Sequence, residues 1–200
     1  AFGQQSLGYN RVSLTLDADG DTVVETLTSM LSPADAQNLK SSDGWKTAYS
    51  TPDGFIINQT ETESSDGELT YALELVPAGD SDWEVAGEFR GKPYRATLAV
   101  AEPPRSDLGQ IRLLRELVND PERLTLQFPL YSPGANPGAF MLADVQLDPE
   151  RRATGDARLT IGPIAMDVQI DATGSIPRGT MDMGLGQMRI ERIWQAGEID

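Results

Sequence analysis

SDLGQIRLLRELVN, residues 106–119, is the stretch of this chain with the clearest pattern of a long amphipathic helix. Ser106 is a suitable N-cap with Asp107 in the first turn, and Pro121 follows closely enough to end the helix. Apolar side chains recur at three- and four-residue spacing and share one face, while most of the charged side chains fall on the other. The apolar set is Leu108, Ile111, Leu114, Leu117 and Val118. The pattern predicts one helix packed against a β-rich core.

Strand patterns flank this helix on both sides. Alternation of apolar and polar residues predicts about ten or eleven strands, with glycine and proline at most of the connections. The clearest are residues 9–17, 55–60, 69–75, 83–90, 94–100, 124–130, 140–147, 157–161, 164–170 and 188–194. Residues 22–31 fit either a helix or a strand, and we interpret their start as strand. Ser32 and Pro33 predict a short second helix that reaches about Lys40 and ends at residues 41–44.

A sheet with this many strands is expected to curl or to split into two layers. We therefore predict a mainly β fold with a minor helical part. It consists of a curved antiparallel sheet, as a half-barrel or as a two-layer β structure, with one packed amphipathic helix. Residues 1–200 are expected to form a single β-rich domain, because β-rich domains commonly reach ~200 residues.

Composition excludes several functions. Sixteen basic and thirty-one acidic residues give a formal net charge of −15, which repels nucleic-acid phosphates. The chain contains neither cysteine nor histidine, so disulfides, thiolate chemistry, histidine-based triads and imidazole metal ligands are impossible. We expect no nucleic-acid partner, no cofactor and no metal, and the protein is not expected to be an enzyme.

Carboxylates and arginines offer other candidate sites, each with a simpler explanation. The loop Asp17–Asp21 has carboxylates at alternate positions, but Thr22 and Thr28 stand where an EF-hand calcium loop needs glycine and glutamate. We interpret it as a tight turn. Glutamates on strand faces, such as Glu84, are expected to be solvated. Two groups of arginines, residues 105, 112 and 115 and residues 151 and 152, are interpreted as surface charges with acidic neighbours.

Apolar residues supply the predicted ligand-binding site. One part is the helix face formed by Leu108, Ile111, Leu114 and Leu117. The other is a methionine-rich tail, because thioether side chains repack around varied ligands. Met181 and Met183 are its predicted contacts, with Met166 and Met188 nearby. The alternative interpretation of the tail is an edge strand that completes the core.

Two segments resemble a known family. WEVAGEFRGKPYRATLAV, residues 83–100, is similar to hairpins of AsmA-like envelope proteins of Gram-negative bacteria, and residues 124–149 are similar in rhythm to strand pairs of the same group. The resemblance implies a periplasmic β-groove protein linked to lipid movement or outer-membrane assembly. It implies no catalytic residues.

Function and location follow from these observations as expectations. No run of about 18 apolar residues is present, so we expect no transmembrane segment in these residues. The chain begins at Ala1 without methionine, as in a protein whose preceding signal or membrane anchor is absent. The leading hypothesis is a non-enzymatic periplasmic protein of a Gram-negative bacterium that presents an apolar groove to a lipid or lipidated partner. The alternatives are a protein-interaction module, such as a secretion-system accessory subunit or an inhibitor, and a carboxylate hydrolase.

Overall fold

A computed structural model describes residues 8–18, 20–33, 39–182 and 187–192. The chain divides into two compact units, Ala1–Ser106 with Tyr131–Phe140, and Asp107–Leu130 with Met141–Asp200. We predicted a single domain for residues 1–200, and the division into two compact units does not test that prediction. The described residues include no helix with the length and apolar content that a bilayer crossing requires.

The first unit contains a seven-stranded antiparallel sheet in which every strand pairs with its neighbours in sequence. Two of its hairpin turns, at Asp66-Gly67 and Arg90-Gly91, have positive φ at both residues, as tight two-residue hairpins require. The strands are β1 (Gly8–Leu16), β2 (Thr22–Pro33), β3 (Leu39–Ser50), β4 (Ile56–Ser65), β5 (Glu68–Pro77), β6 (Asp82–Phe89) and β7 (Lys92–Ala99).

The core of the first unit lies on one face of β4–β7. Alternate residues of β5 and β6 point to this face, which we call the inner face of the first sheet. Tyr131, from the segment that returns after the second unit has begun, packs in the same cluster. The other buried members are Ile56, Tyr71, Leu73, Leu75, Trp83, Val85 and Leu98.

The described residues of the second unit form one α-helix and a six-stranded antiparallel sheet in sequential order. The elements are α1 (Asp107–Asn119), β8 (Thr125–Leu130), β9 (Met141–Leu147), β10 (Asp156–Ile161), β11 (Ile164–Gln169), β12 (Arg178–Asp182) and β13 (Gln187–Glu191). A short 3₁₀ turn, Arg152–Thr154, precedes β10. Its core joins the apolar face of α1 to one face of the sheet, which we call the inner face of the second sheet.

The predicted fold class is confirmed: the chain is mainly β with antiparallel sheets, and its described part has one packed amphipathic helix. The predicted helix at residues 106–119 is confirmed, since α1 spans Asp107–Asn119. The predicted strands at residues 83–90 and 94–100 are present as the hairpin of β6 and β7.

The second predicted helix is wrong at both of its ends. Ser32 and Pro33 belong to β2, and Lys40 belongs to β3, which continues through residues 41–44, while residues 34–38 lie outside the described part of the chain. The proline signal is overridden because β3 pairs with β2 on one side and β4 on the other. The N-terminal strand also differs from expectation: Val12, Leu14 and Leu16 point to the same side of the sheet as the buried Val24, but their own exposed fractions are 46%, 37% and 74%.

Candidate functional site

The apolar face of α1 lies where the predicted binding site places it, but most of it is already covered. Leu108 is buried, and Leu114 and Leu117 belong to the core cluster of the second unit, with Leu117 completely inaccessible. Ile111 is half-buried, and Leu113 and Val118 pack at the margin of the cluster. A ligand can reach Leu117 only if the helix moves away from the sheet.

A small cavity remains between α1 and the inner face of the second sheet. Its volume is about 70 Å³, about half that of the roughly 150 Å³ apolar cavity that accommodates benzene in another protein. The lining comes from α1, the segment after β11, and strands β8 to β11, and it is apolar except for Gln110. The lining residues are Gln110, Leu114, Phe128, Leu130, Ala143, Val145, Leu159, Ile161, Val168, Ile170 and Ile176. The cavity does not hold an acyl chain in this conformation.

The inner face of the second sheet continues as a row of methionines toward its β13 edge. Strand register places one cross-strand row in the order Leu126, Val145, Leu159, Met166, Met181 and Met188. The first three are buried, whereas all three methionines are half-buried. We call Met166, Met181 and Met188 the methionine row. Ile190, 42% exposed, lies on the same face of β13. Met183 lies outside the described residues.

A loop organised by Asp171 is bonded to the C-terminal end of α1. Oδ1 of Asp171 accepts hydrogen bonds from the backbone N–H groups of Thr173 and Ser175, and Oδ2 accepts one from Arg192 at 3.0 Å. Burial alone would raise the pKa of Asp171, but these hydrogen bonds and the Thr173 hydroxyl outweigh it, so the pKa lies below its usual value. The side-chain amide of Asn119 donates to the carbonyl of Ala172 at 3.1 Å, which ties the loop to the last turn of the helix.

Arginines from both of the groups that we interpreted as surface charges make contacts within the protein. The guanidinium of Arg152 donates to the carbonyls of Leu117, Asp120 and Arg123, and so satisfies acceptors at and beyond the C-terminal end of α1. Arg105 lies over the ring of Phe55, 4.1 Å from its centroid. The interpretation as surface charges holds for Arg151, which is exposed and paired with Asp156 at 2.9 Å.

The outer face of the second sheet carries a wider groove of about 650 Å³, but its charges are largely paired with one another. Arg158 and Asp167 form an ion pair of 2.7 Å across β10 and β11, and the Arg151–Asp156 pair lies at the same groove. Exposed pairs of this kind contribute little to stability and leave little net charge for a ligand. The apolar inner face therefore differs in character from the outer face.

Sequence reasoning missed a polar cluster on the inner face of the first sheet. The hydroxyl of Tyr71 lies 2.8 Å from Oε1 of Glu61 and 3.3 Å from Oε2 of Glu63, so one phenol joins two carboxylates. Gln59 donates to the other oxygen of Glu61 at 3.2 Å, and the backbone of Gly134 passes close to Glu63 and Tyr71. Burial raises the pKa of Tyr71, and both carboxylates raise it further. The phenol therefore stays protonated, and its single hydrogen is shared between Glu61, at the shorter distance, and Glu63.

The alternation that places this cluster on one face is present in the sequence, but the predicted strand was too short to include it. The predicted strand at residues 55–60 ended before Glu61, whereas β4 runs to Ser65. With the full strand, Gln59, Glu61 and Glu63 alternate on the same face as the buried Leu73 and Leu75 of β5. In the predicted turn at residues 17–21, of which Asp19 lies outside the described residues, Oδ1 of Asp17 accepts the N–H of Asp21 at 3.0 Å. Across the described residues, no group of three or more acidic side chains is arranged to hold a metal ion.

Comparison with known proteins supports the fold. No protein-family model matches the sequence, and no curated protein matches it significantly. The structure is similar to the crystal structure of a β-barrel-like protein of domain of unknown function DUF1849 from Brucella abortus. The TM-score is 0.58 at 14% identity, over 91% of this chain and 84% of that one. A DUF1089-family protein from Pseudomonas aeruginosa matches with a TM-score of 0.48 at 12% identity, over 87% and 89% of the two chains. At this identity the Brucella protein shares the fold alone.

Proposed function

We propose that this chain is a non-enzymatic binding protein of the Gram-negative periplasm, and that it holds the acyl chain of a lipid or lipidated partner on the inner face of its second sheet. The methionine row carries the proposal. It extends an otherwise buried cross-strand row with three half-buried, flexible thioether side chains. The envelope location rests on the resemblance of residues 83–100 and 124–149 to AsmA-like proteins.

The acyl chain is proposed to lie along Met166, Met181 and Met188 and to extend toward the cavity beneath α1. Leu114 lines that cavity, and Leu108, Ile111 and Leu117 lie on the same helix. Since the cavity is only about 70 Å³, deeper entry of the chain requires α1 to move away from the sheet. Binding in the methionine row is then the first step, and insertion beneath the helix follows it.

Fluorescence titration with a dansyl-labelled fatty acid tests the binding site. Met181→Glu places a charge in the methionine row and is expected to raise the Kd by at least about tenfold. Thr180→Glu is the matched control, because Thr180 is adjacent on β12 and points to the opposite face. It is expected to leave the Kd unchanged. Equal effects of the two substitutions would contradict the proposed site.

Native mass spectrometry of protein purified from its source tests the proposal without a synthetic probe. A bound lipid is expected, and organic extraction should remove it. Absence of copurifying lipid together with no binding of the dansyl fatty acid would refute the function. Fractionation of the source bacterium tests the location, and recovery in the cytoplasmic fraction alone would contradict it.

A further inference from the structure

Strand β1 is an open sheet edge with an exposed apolar face. It pairs with β2 over its full length, and no other described strand pairs with it. Val12, Leu14 and Leu16 point to the same face at alternate positions, and all three are exposed. A long edge strand of this kind presents unpaired backbone groups and apolar side chains together, the combination that favours pairing with another strand.

The other three sheet edges carry features that discourage strand pairing. β7 has Lys92, Pro93 and Arg95, β8 has Pro129 within six residues, and β13 has five residues that include Arg189 and Glu191. β1 has nine residues without a proline or a register shift, and its single charge is Arg11. Among the four edges of the described sheets, β1 alone is both long and lacking in these protective features.

The hydrogen-bonding pattern between β1 and β2 identifies which backbone groups of β1 point toward the sheet edge. The N–H of Asp17 donates to the carbonyl of Asp21, which makes this pair a hydrogen-bonded one. Hydrogen-bonded and non-hydrogen-bonded pairs alternate along an antiparallel ladder, so residues 9, 11, 13 and 15 bond to β2. The backbone N–H and C=O groups of residues 10, 12, 14 and 16 therefore point away from β2, toward the free edge.

We propose that two copies of this chain pair through β1, in antiparallel orientation, with the two-fold axis at Leu14. In this register Leu14 lies opposite the partner's Leu14, and Val12 lies opposite the partner's Leu16, so every exposed apolar residue of this face meets an apolar residue. On the other face, Arg11 lies opposite the partner's Asp17. The edge is thus complementary to itself in both hydrophobicity and charge.

Registers shifted toward the start of β1 fit less well, and registers shifted the other way place Val12 opposite residues beyond the end of β1 at Leu16. Moving the two-fold axis to Ser13 places Leu16 opposite the partner's Asn10, and moving it to Val12 places Leu14 opposite the partner's Asn10. Registers that differ by one residue along the edge do not align the outward backbone groups. β1 contains no acidic residue, so this pairing places no two carboxylates opposite each other along the strand.

Light scattering coupled to size exclusion tests the proposal on the full chain. We expect a dimer of twice 21.7 kDa that dissociates on dilution. Leu14→Lys opposes two like charges at the axis and is expected to raise the dissociation constant by at least about tenfold. Leu69→Lys is the control, because Leu69 is 48% exposed but lies on β5 inside the sheet. A monomer at millimolar concentration, or a dimer insensitive to Leu14→Lys, would overturn the proposal.

Cross-linking tests the register and does not depend on a destabilising variant. Ser13 lies opposite the partner's Thr15 in a non-hydrogen-bonded pair, whose Cα separation of about 4.5 Å suits a disulfide. Because the chain has no cysteine, a Ser13→Cys/Thr15→Cys double variant is expected to form a covalent dimer on oxidation. The Ser13→Cys and Thr15→Cys single variants are the controls, and efficient cross-linking by either alone, without a gain in the double variant, would overturn the register.

Discussion

Gly174 lies so close to the backbone of Ile111 that a Cβ atom at Gly174 would fall 2.1 Å from the Ile111 carbonyl oxygen. It would also fall 2.6 Å from the backbone nitrogen of Arg115. Neither backbone atom can move without shifting α1. The φ angle of Gly174 is +85°, which independently favours glycine. The contact between the Asp171 loop and the helix therefore requires this residue type.

Gly174→Ala is expected to lower the free energy of unfolding by about 2 to 4 kcal/mol, through backbone strain and displacement of the helix. Gly67→Ala is the matched control, because Gly67 has φ +81° with no atom within 4 Å of the added Cβ. It should cost only about 1 kcal/mol. Urea unfolding followed by circular dichroism measures both, and equal losses would show that the close approach to Ile111 is unimportant.

Arg152 is expected to stabilise the end of α1 more than its exposed neighbour does. Arg152→Ala removes hydrogen bonds to three carbonyls and should cost about 1 to 3 kcal/mol, with faster hydrogen exchange in the last helical turn. Arg151→Ala breaks an exposed ion pair with Asp156 and should cost about 0 to 1 kcal/mol. A larger loss for Arg151→Ala would contradict the assignment.

Asp171 is expected to make stability depend on pH in the acid range. Its folded-state pKa lies below the ordinary 3.8, so its carboxylate contributes stability above that value. The contribution is lost as the pH falls through the lowered pKa of the folded state. Asp171→Asn removes the titrating group, so the variant should be less stable at neutral pH and should lose less stability on acidification. Parallel stability curves of the two proteins below about pH 4 would contradict this.

Tyr71 is expected to be important for the carboxylates beside it. Tyr71→Phe leaves Glu61 and Glu63 without their shared donor and should cost about 1 to 3 kcal/mol. Tyr9→Phe, at a phenol that is 54% exposed, should be close to neutral. In a double-mutant cycle with Glu61→Gln, the two losses are expected to be less than additive. Additive losses would show that the hydrogen bond contributes nothing.

The elements that were predictable from sequence are those whose own side chains determine the local structure. α1 has a complete amphipathic pattern with a capping residue and a stop signal, and β5 alternates over its whole buried length. Strand β3 was missed because its first half contains serine, aspartate and glycine. It forms because β2 and β4 pair with it on both sides, and that pairing cannot be inferred from the strand's own composition.

The candidate sites show the same limit. Met181 was recognisable by residue type, but its place in a row with Met166 and Met188 depends on the pairing of β11, β12 and β13. The cluster of Glu61, Glu63 and Tyr71 depends on the register of β4 against β5, including a shift between Glu63 and Ser64. Exposure of β1 was unpredictable for a further reason: alternation identifies a strand but does not reveal whether anything covers its apolar face.

The return of the chain to the first unit at residues 131–140 constrains the order in which the protein can be made. All seven strands of the first sheet have been synthesised by Ala99, yet Tyr131 of its core is added only after α1 and β8. A nascent chain that extends to Ser106 therefore contains the whole sheet but not Tyr131, the residue that completes its core. The core of the first unit is therefore completed only after part of the second unit has been synthesised. A chain truncated after Ser106 would lack Tyr131, and the inner face of its first sheet would be prone to aggregation.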